Sequence, residues 1–456
     1  MPAELLHFLD SFRRLSIEEL LLPILIQLAV LIASARLFGW LFRKLGQPNT
    51  VGEIAAGLAL GPSLLGWLLP QVSRMLFQPE FPGVPHEIVD PALQKTFAVL
   101  SQIGLILLLF LVGLEFDFSH LKWHGPAALS ISIAGIALPF GLGLLLAPLL
   151  LQKIEPFAPN EPVPALGFTL FLGVALSITA LPVLGRMIME WGIGRTKLGT
   201  VAITAAAVND AVGWILLAAV AAVVRGKFRL LDTLVMIGLS AAFALFMIFV
   251  GRPLLLRWAR TAVKRGNGDL GLNDLAILLV LMLACAAITN WIGIFAIFGA
   301  FLLGAVLSSE AAFREAISRR LHDLVTAFFL PIFFTYTGLR TDVRSLGSWE
   351  MWLLGGVVIA AAIVGKFAGC TLAARIGGLR MREAACIGAM MNTRGLMELI
   401  VINLGYELRV IPQSVFCMLV LMAMTTTLMT TPLLMRFMRG TELEAPIRAS
   451  GFLRPP

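Results

Sequence analysis

Residues 202–218 read AITAAAVNDAVGWILLA, with Asn209 and Asp210 side by side in a run otherwise dominated by small and large apolar residues. The run is the middle of a longer apolar stretch, 197–224, long enough as a helix to cross about 30 Å of hydrocarbon. A charge at the bilayer centre costs about 2.5–3.5 kcal/mol even on lenient insertion scales, so such a residue is a functional candidate by default.

Outward from this stretch the same composition continues. The 456 residues are 59% hydrophobic and 14% charged, where a soluble domain carries roughly 25% charged residues. Apolar runs of membrane-spanning length recur throughout, which predicts an all-α polytopic membrane protein. Thirteen segments are expected, near 18–42, 52–66, 94–115, 124–151, 165–190, 197–224, 230–251, 271–290, 293–309, 319–338, 350–374, 383–405 and 413–437. They form a single membrane domain over 1–438, followed by a short cytoplasmic tail, 439–456. Residues 1–17 read as an amphipathic lead-in, not a signal peptide.

The net charge of +8 comes from short loops, so it reports topology and contact with anionic lipid. No polybasic run with interleaved aromatics is present, and nucleic acid is not an expected partner. Counted over alternate loops, Lys and Arg are roughly twofold enriched on the side that places the N-terminus outside and the C-terminus in the cytoplasm. Arg225, Lys227 and Arg229 run against that bias, and Arg252, Arg257, Arg260, Lys264 and Arg265 form the richest inside loop. Cys285, Cys370, Cys386 and Cys417 fall in apolar segments without a CxxC pair, as packing residues do. His120 and His124 have i, i+4 spacing but no HExxH around them.

Two short motifs occur twice. GLxxD closes the third segment (113–117) and the tenth (338–342); AGLALG (56–61) and GAFLLG (299–304) lie in the second and ninth. In register they align segments two to six (about 52–224) with nine to thirteen (about 293–437). Because the second enters from inside and the ninth from outside, these are two inverted five-helix repeats, a transporter architecture. The fourth member of each repeat is interrupted, at Ser177-Ile178-Thr179-Ala180-Leu181-Pro182 and at Asn392-Thr393-Arg394-Gly395. Broken helices at matching positions predict two discontinuous crossing helices and a binding site near the midplane.

The candidate ion and proton site is therefore Asp210 with Asn209 and Thr179. A carboxylate among small and apolar neighbours is neutralised by a proton or by a small monovalent cation, and that competition couples two fluxes. The bland alternative is a helix-gluing hydrogen bond. The Asn209 amide offers a neutral oxygen ligand or an interhelical hydrogen bond. Lys366, in AAAIVGKFAGCTLAA (360–374), is too deep to snorkel comfortably; it either supports the broken helices or titrates with Asp210. Ser177, Pro182, Asn392, Thr393 and Arg394 complete the support of the breaks, and Arg394 is one turn from Glu398. Glu53, Glu115 and Asp117, near segment ends, are expected to be wet. GIGRTK (192–197) is not a P-loop, no nucleophile–base set for an enzyme is present, and no cofactor is expected.

Together GQPNTVGEIAAGLALGPSLLG (46–66), LLLFLVGLEFD (107–117), SITALPVLGR (177–186), NDAVGW (209–214), GKFAG (365–369) and MNTRGLMELI (391–400) resemble the second monovalent cation:proton antiporter family over nearly the whole chain. The NTRG and ND forms look most like plant-type cation/H⁺ exchangers and their bacterial relatives. The resemblance implies Na⁺/H⁺ or K⁺/H⁺ exchange by alternating access in the inner membrane and a homodimer, with a core domain that moves against a dimerisation domain. It implies that segments five and twelve unwind and cross, that Asp210 binds cation and proton, and that Lys366 is the core lysine. Electrogenic members carry Asp-Asp; with Asn209 at the first position, electroneutral one-for-one exchange is expected. After Arg439 too little chain remains for the nucleotide-binding domain of glutathione-gated potassium efflux members. A Kef-type potassium efflux or channel-like protein, and a sodium-coupled solute symporter, are the competing readings; no TVGYG-like filter favours a channel.

Overall fold

The computed structural model describes residues 17–79, 86–115, 125–154, 163–194, 196–224 and 230–450. Arg225, Lys227, Arg229, His120, His124 and Asp117 lie outside them, as do the side chains of Glu115 and Pro182. Among the described residues every regular element is helical, the only open-ended way for a backbone without water to satisfy its N–H and C=O groups.

The first half comprises α1 (Ile17–Lys44), α2 (Asn49–Leu60), α3 (Leu65–Leu68), α4 (Pro70–Phe77), α5 (His86–Glu115), α6 (Gly125–Leu151), α7 (Ala165–Ser177), α8 (Leu181–Glu190) and α9 (Lys197–Val224). Then come α10 (Leu230–Phe246), α11 (Arg252–Arg265), α12 (Leu272–Ile292), α13 (Ala296–Leu307), α14 (Ala311–Leu324) and α15 (Leu330–Leu339). The rest are α16 (Trp349–Ile363), α17 (Gly369–Ile376), α18 (Met381–Met391), α19 (Leu396–Glu407), α20 (Gln413–Phe437) and α21 (Glu444–Ala449). Single π turns join α10 to α11 (Met247–Gly251), α14 to α15 (Val325–Phe329) and α16 to α17 (Val364–Ala368). Among the described residues ten helices, some running through these π turns, are long and apolar enough to cross a membrane; α7 and α13 are shorter apolar helices.

Four expectations change. The basic stretch 252–265 is helix α11, continuous with α10 through a π turn, because nothing in it breaks an α-helix and Pro253 falls at its start. The second segment is helical only over Asn49–Leu60 and bends at Gly61, and the tenth begins at Ala311. Glu53 is not wet: it is 6% exposed, on a helix packed between α1 and α15.

Small residues set the closest helix crossings. A Cβ added to Gly57 of α2 would lie 2.7 Å from Gly338 Cα of α15, and one added to Gly113 of α5 would lie 3.1 Å from Gly304 Cα of α13. The two interruptions separate α7 from α8 and α18 from α19. The first lies at 178–180, with Ile178 extended (φ −74°, ψ 144°). Pro182 is the second residue of α8, where a missing N–H breaks no intrahelical bond. The second ends on Gly395, whose φ of +148° and ψ of −115° only glycine adopts without strain.

Candidate exchange site

The last four carbonyls of a helix have no partner within it and form the negative end of its dipole. α7 ends in the protein interior, and its terminal carbonyls are met by a hydroxyl and two cations. The Ser177 hydroxyl donates to Val174 O (2.9 Å). Arg394 donates to Ala175 O (2.8 Å) and to Leu176 O. Lys366 donates to Ser177 O and to Gly135 O of α6, the latter at 2.8 Å. Lys366 sits in a π turn, the local distortion that recurs at functional sites.

The broken helices are tied to each other by their unwound backbone. Ala180 N–H donates to Thr393 O (3.1 Å), and the Thr179 hydroxyl donates to Met391 O at the end of α18 (3.3 Å). Threonines of α20 hold the second break from behind: the Thr393 and Thr430 hydroxyls are 3.2 Å apart, and Thr427 Oγ1 accepts from Arg394 N–H at 3.1 Å. Arg394 is also 2.7 Å from Glu398, both fully buried. Asn392 is fully buried with both amide atoms unpartnered among the described residues.

α9 passes against the first break. Successive residues of a helix point about 100° apart, so Asn209 and Asp210 address opposite lips of the gap. The Asn209 amide nitrogen donates to Ser177 O (3.2 Å), and its oxygen accepts from Lys366 Nζ (3.0 Å), the orientation its neighbours require. Asp210 faces the other lip, beside the backbone N–H of Leu181, first residue of α8. Asp210 is 5% exposed, and its Oδ1 has no partner among the described residues. A carboxylate at the positive end of a half-helix, with one oxygen unengaged, is built to accept a further cationic or protic partner.

The family described as "Sodium/hydrogen exchanger, transmembrane" matches residues 32–436, so the match takes in both breaks, α9 and the lysine turn. The chain belongs to that family. The exchanger is 39% identical over 419 residues to the Na(+)/H(+) antiporter NhaS4 of Synechocystis sp., covering 91% of this chain and 97% of that protein. It is 39% identical to Cation/H(+) antiporter 17 of Arabidopsis thaliana and 32% identical to K(+)/H(+) antiporter 1 of Saccharomyces cerevisiae. It spans 48% and 44% of the length of those two. The exchanger is thus a multi-pass helical membrane protein of a transporter family, not an enzyme family.

Of the residues singled out in the sequence, Asn209, Asp210, Ser177, Thr179, Lys366, Thr393 and Arg394 converge on the crossing of the exchanger's broken helices. Sequence reading missed three contributors. Thr427 and Thr430 belong to MTTTLMTTP (424–432), whose density of hydroxyls in a membrane segment was the available signal. Gly135 had none. A Cβ there would stand 2.7 Å from Cys370 Sγ and 3.4 Å from the Asn209 amide, so glycine keeps α6 close enough for its carbonyl to hold Lys366. All four cysteines are buried and free.

Proposed function

We propose that this exchanger swaps a monovalent cation, Na⁺ or K⁺, for H⁺ by alternating access, one for one and without net charge transfer, with Asp210 as the shared site. The unpartnered Oδ1 of a buried carboxylate beside the crossed helices carries this reading. Proton and cation compete for the same oxygens, so binding one expels the other. Thr179 and the unwound carbonyls supply neutral oxygens, the donor type that suits hard cations. The Asn209 oxygen, engaged by Lys366 in this conformation, becomes a cation ligand only if the lysine turns away. A single carboxylate facing a permanently neutral amide favours electroneutral stoichiometry. The relatives named for Na⁺/H⁺ and K⁺/H⁺ exchange support the ion class.

The reciprocal glycine crossings support the inverted repeat. Gly57 from the AGLALG stretch meets Gly338 of the second GLxxD motif, and Gly304 of GAFLLG meets Gly113 of the first. Each repeat thus lends its first helix to the second helix of the other. The thirteen-segment count, a homodimer, residence in the inner membrane and a cytoplasmic C-terminus belong to the same reading.

The test is dissipation of a preset pH gradient in everted vesicles on adding Na⁺, K⁺ or Li⁺. Native protein is expected to respond to at least one cation. Asp210→Asn is expected to abolish the response while the protein still inserts and runs as a folded species on size exclusion. Retained exchange in Asp210→Asn removes Asp210 from the site.

A further inference from the structure

Past α20 the chain turns on Gly440 (φ +77°) and folds back beneath the broken helices. The turn closes on itself: Gly440 N–H donates to Glu444 (2.7 Å), the Thr441 hydroxyl donates to Met438 O (2.6 Å), and Arg448 pairs with Glu444 (2.7 Å). Leu443 and Ile447, one helical turn apart, are fully buried. Arg382 of α18 donates to Arg439 O (3.0 Å). Gly192, just past α8, faces the segment: a Cβ there would lie 3.8 Å from both Pro446 O and Ser450 Cβ. The stretch after the last long helix is therefore a strap docked on α8, α9 and α18.

One contact of the strap reaches the helix that carries Asp210. Glu442 Oε1 accepts from Leu198 N–H at 2.6 Å, 244 residues away in sequence. Leu198 is the second residue of α9, where backbone N–H groups have no intrahelical acceptor. The Thr196 hydroxyl takes the next one, Gly199 N–H, at 3.0 Å. The tail thus supplies half of this helix cap, in charged form and at the positive end of the dipole.

We propose that Glu442 is a positioning residue for exchange: by capping α9 from the tail, it fixes the axial register at which Asp210 meets the Leu181 N–H. The inference rests on the reading of Asp210 as the exchange site. α8 and α9 make a helical hairpin. Its closed end lies on the strap, and its open end is the Leu181–Asp210 contact. At 1.5 Å per residue the open end stands about 15–20 Å from the strap. The dipole's influence fades within the first turn, so the coupling is mechanical. An α-helix is stiff along its axis, and a shift at Leu198 arrives undiminished at Asp210.

The test compares full-length native protein, Glu442→Ala and Glu442→Gln in proteoliposomes, reading half-saturating cation concentration and maximal rate. Amide hydrogen exchange over 198–201 is followed on the same samples. Glu442→Ala is expected to raise the half-saturating concentration about tenfold, since misplacement by about 1 Å can cost up to about a hundredfold, and to leave the maximal rate within about twofold. Glu442→Gln, which keeps an acceptor oxygen, is expected to stay within about threefold of native. If Glu442→Ala deprotects 198–201 without moving the half-saturating concentration, the cap is merely structural and the proposal falls. If it moves neither readout, Glu442 does not cap α9 and the proposal falls equally. Should Glu442→Ala not reach the membrane folded, Glu442→Asp carries the same test: the charge stays, the reach shortens by one methylene, and a severalfold rise is expected. Asp210→Asn measured alongside separates the two ideas, because exchange retained there removes Asp210 itself, whatever Glu442 does.

Discussion

Lys366 and Asn209 meet head-on: the buried ammonium lies 3.0 Å from the amide oxygen, on a side chain whose nitrogen holds the last carbonyl of α7. Among the described residues the lysine's hydrogen-bond partners are neutral oxygens, those of Gly135, Ser177 and Asn209.

Replacing the amide by a carboxylate converts this contact into a charge-assisted pair. Asn209→Asp is expected to place a second titrating carboxylate in the cavity and to make exchange respond to membrane potential. Reconstituted native protein should show no stimulation by a clamped potential, and the variant should show it. Stimulation of the native protein would end the electroneutral reading.

Arg394 is fully buried and serves two carbonyls and Glu398 at once. Arg394→Ala strands a buried carboxylate and uncaps α7, a loss of about 3–5 kcal/mol by the precedent of buried pairs broken on one side. Thermal unfolding in detergent should show this as a large drop in midpoint. The pair replacement Arg394→Met with Glu398→Leu should recover much of the stability without recovering exchange, because the α7 carbonyls stay uncapped.

Gly135 is a steric prediction. Gly135→Ala puts a methyl 2.7 Å from Cys370 Sγ, and α6 must back away, lengthening the Gly135 carbonyl contact to Lys366. Overpacking of this kind costs about 1–3 kcal/mol, and exchange rate should fall with it. Adding Cys370→Ala removes the obstructing sulfur and should restore both; a double variant no better than the single one would place the defect elsewhere.

One pH effect lies outside the membrane segments. Asp269, between α11 and α12, is held below its ordinary carboxylate range, first by the Leu270 N–H (2.9 Å) and then by Arg320 (2.6 Å). A depressed folded-state value means the contribution is present above the unfolded-state value and is lost as pH falls through the folded one. Amides of 266–271 should therefore lose protection on acidification below about pH 4. Asp269→Asn should show weak protection at every pH, and a pH-dependent loss persisting in that variant would refute the assignment.

Much of the helical layout was legible from local signals. α9 and α20 have the bounds that apolar run length gives, 197–224 and 413–437, and both interruptions fall within the quoted SITALP and NTRG stretches. Where run length misled, the reason was local in one case and tertiary in another. The charged stretch 252–265 looks like a loop by hydropathy but contains nothing that stops a helix. Glu53 looks like a segment end, yet the Gly57–Gly338 crossing draws α2 against α15 and buries it.

Sequence by itself determined that this is a helical membrane protein with a carboxylate in mid-span and two broken helices, because apolar run length, helix breakers and the cost of buried charge are properties of neighbouring residues. Only the tertiary structure decided which cation meets which carbonyl. Lys366 reaches Ser177 across 189 residues, Arg394 reaches Ala175 across 219, and Glu442 reaches Leu198 across 244. Such partners are chosen by where helix ends fall in space, and no periodicity along the chain encodes that.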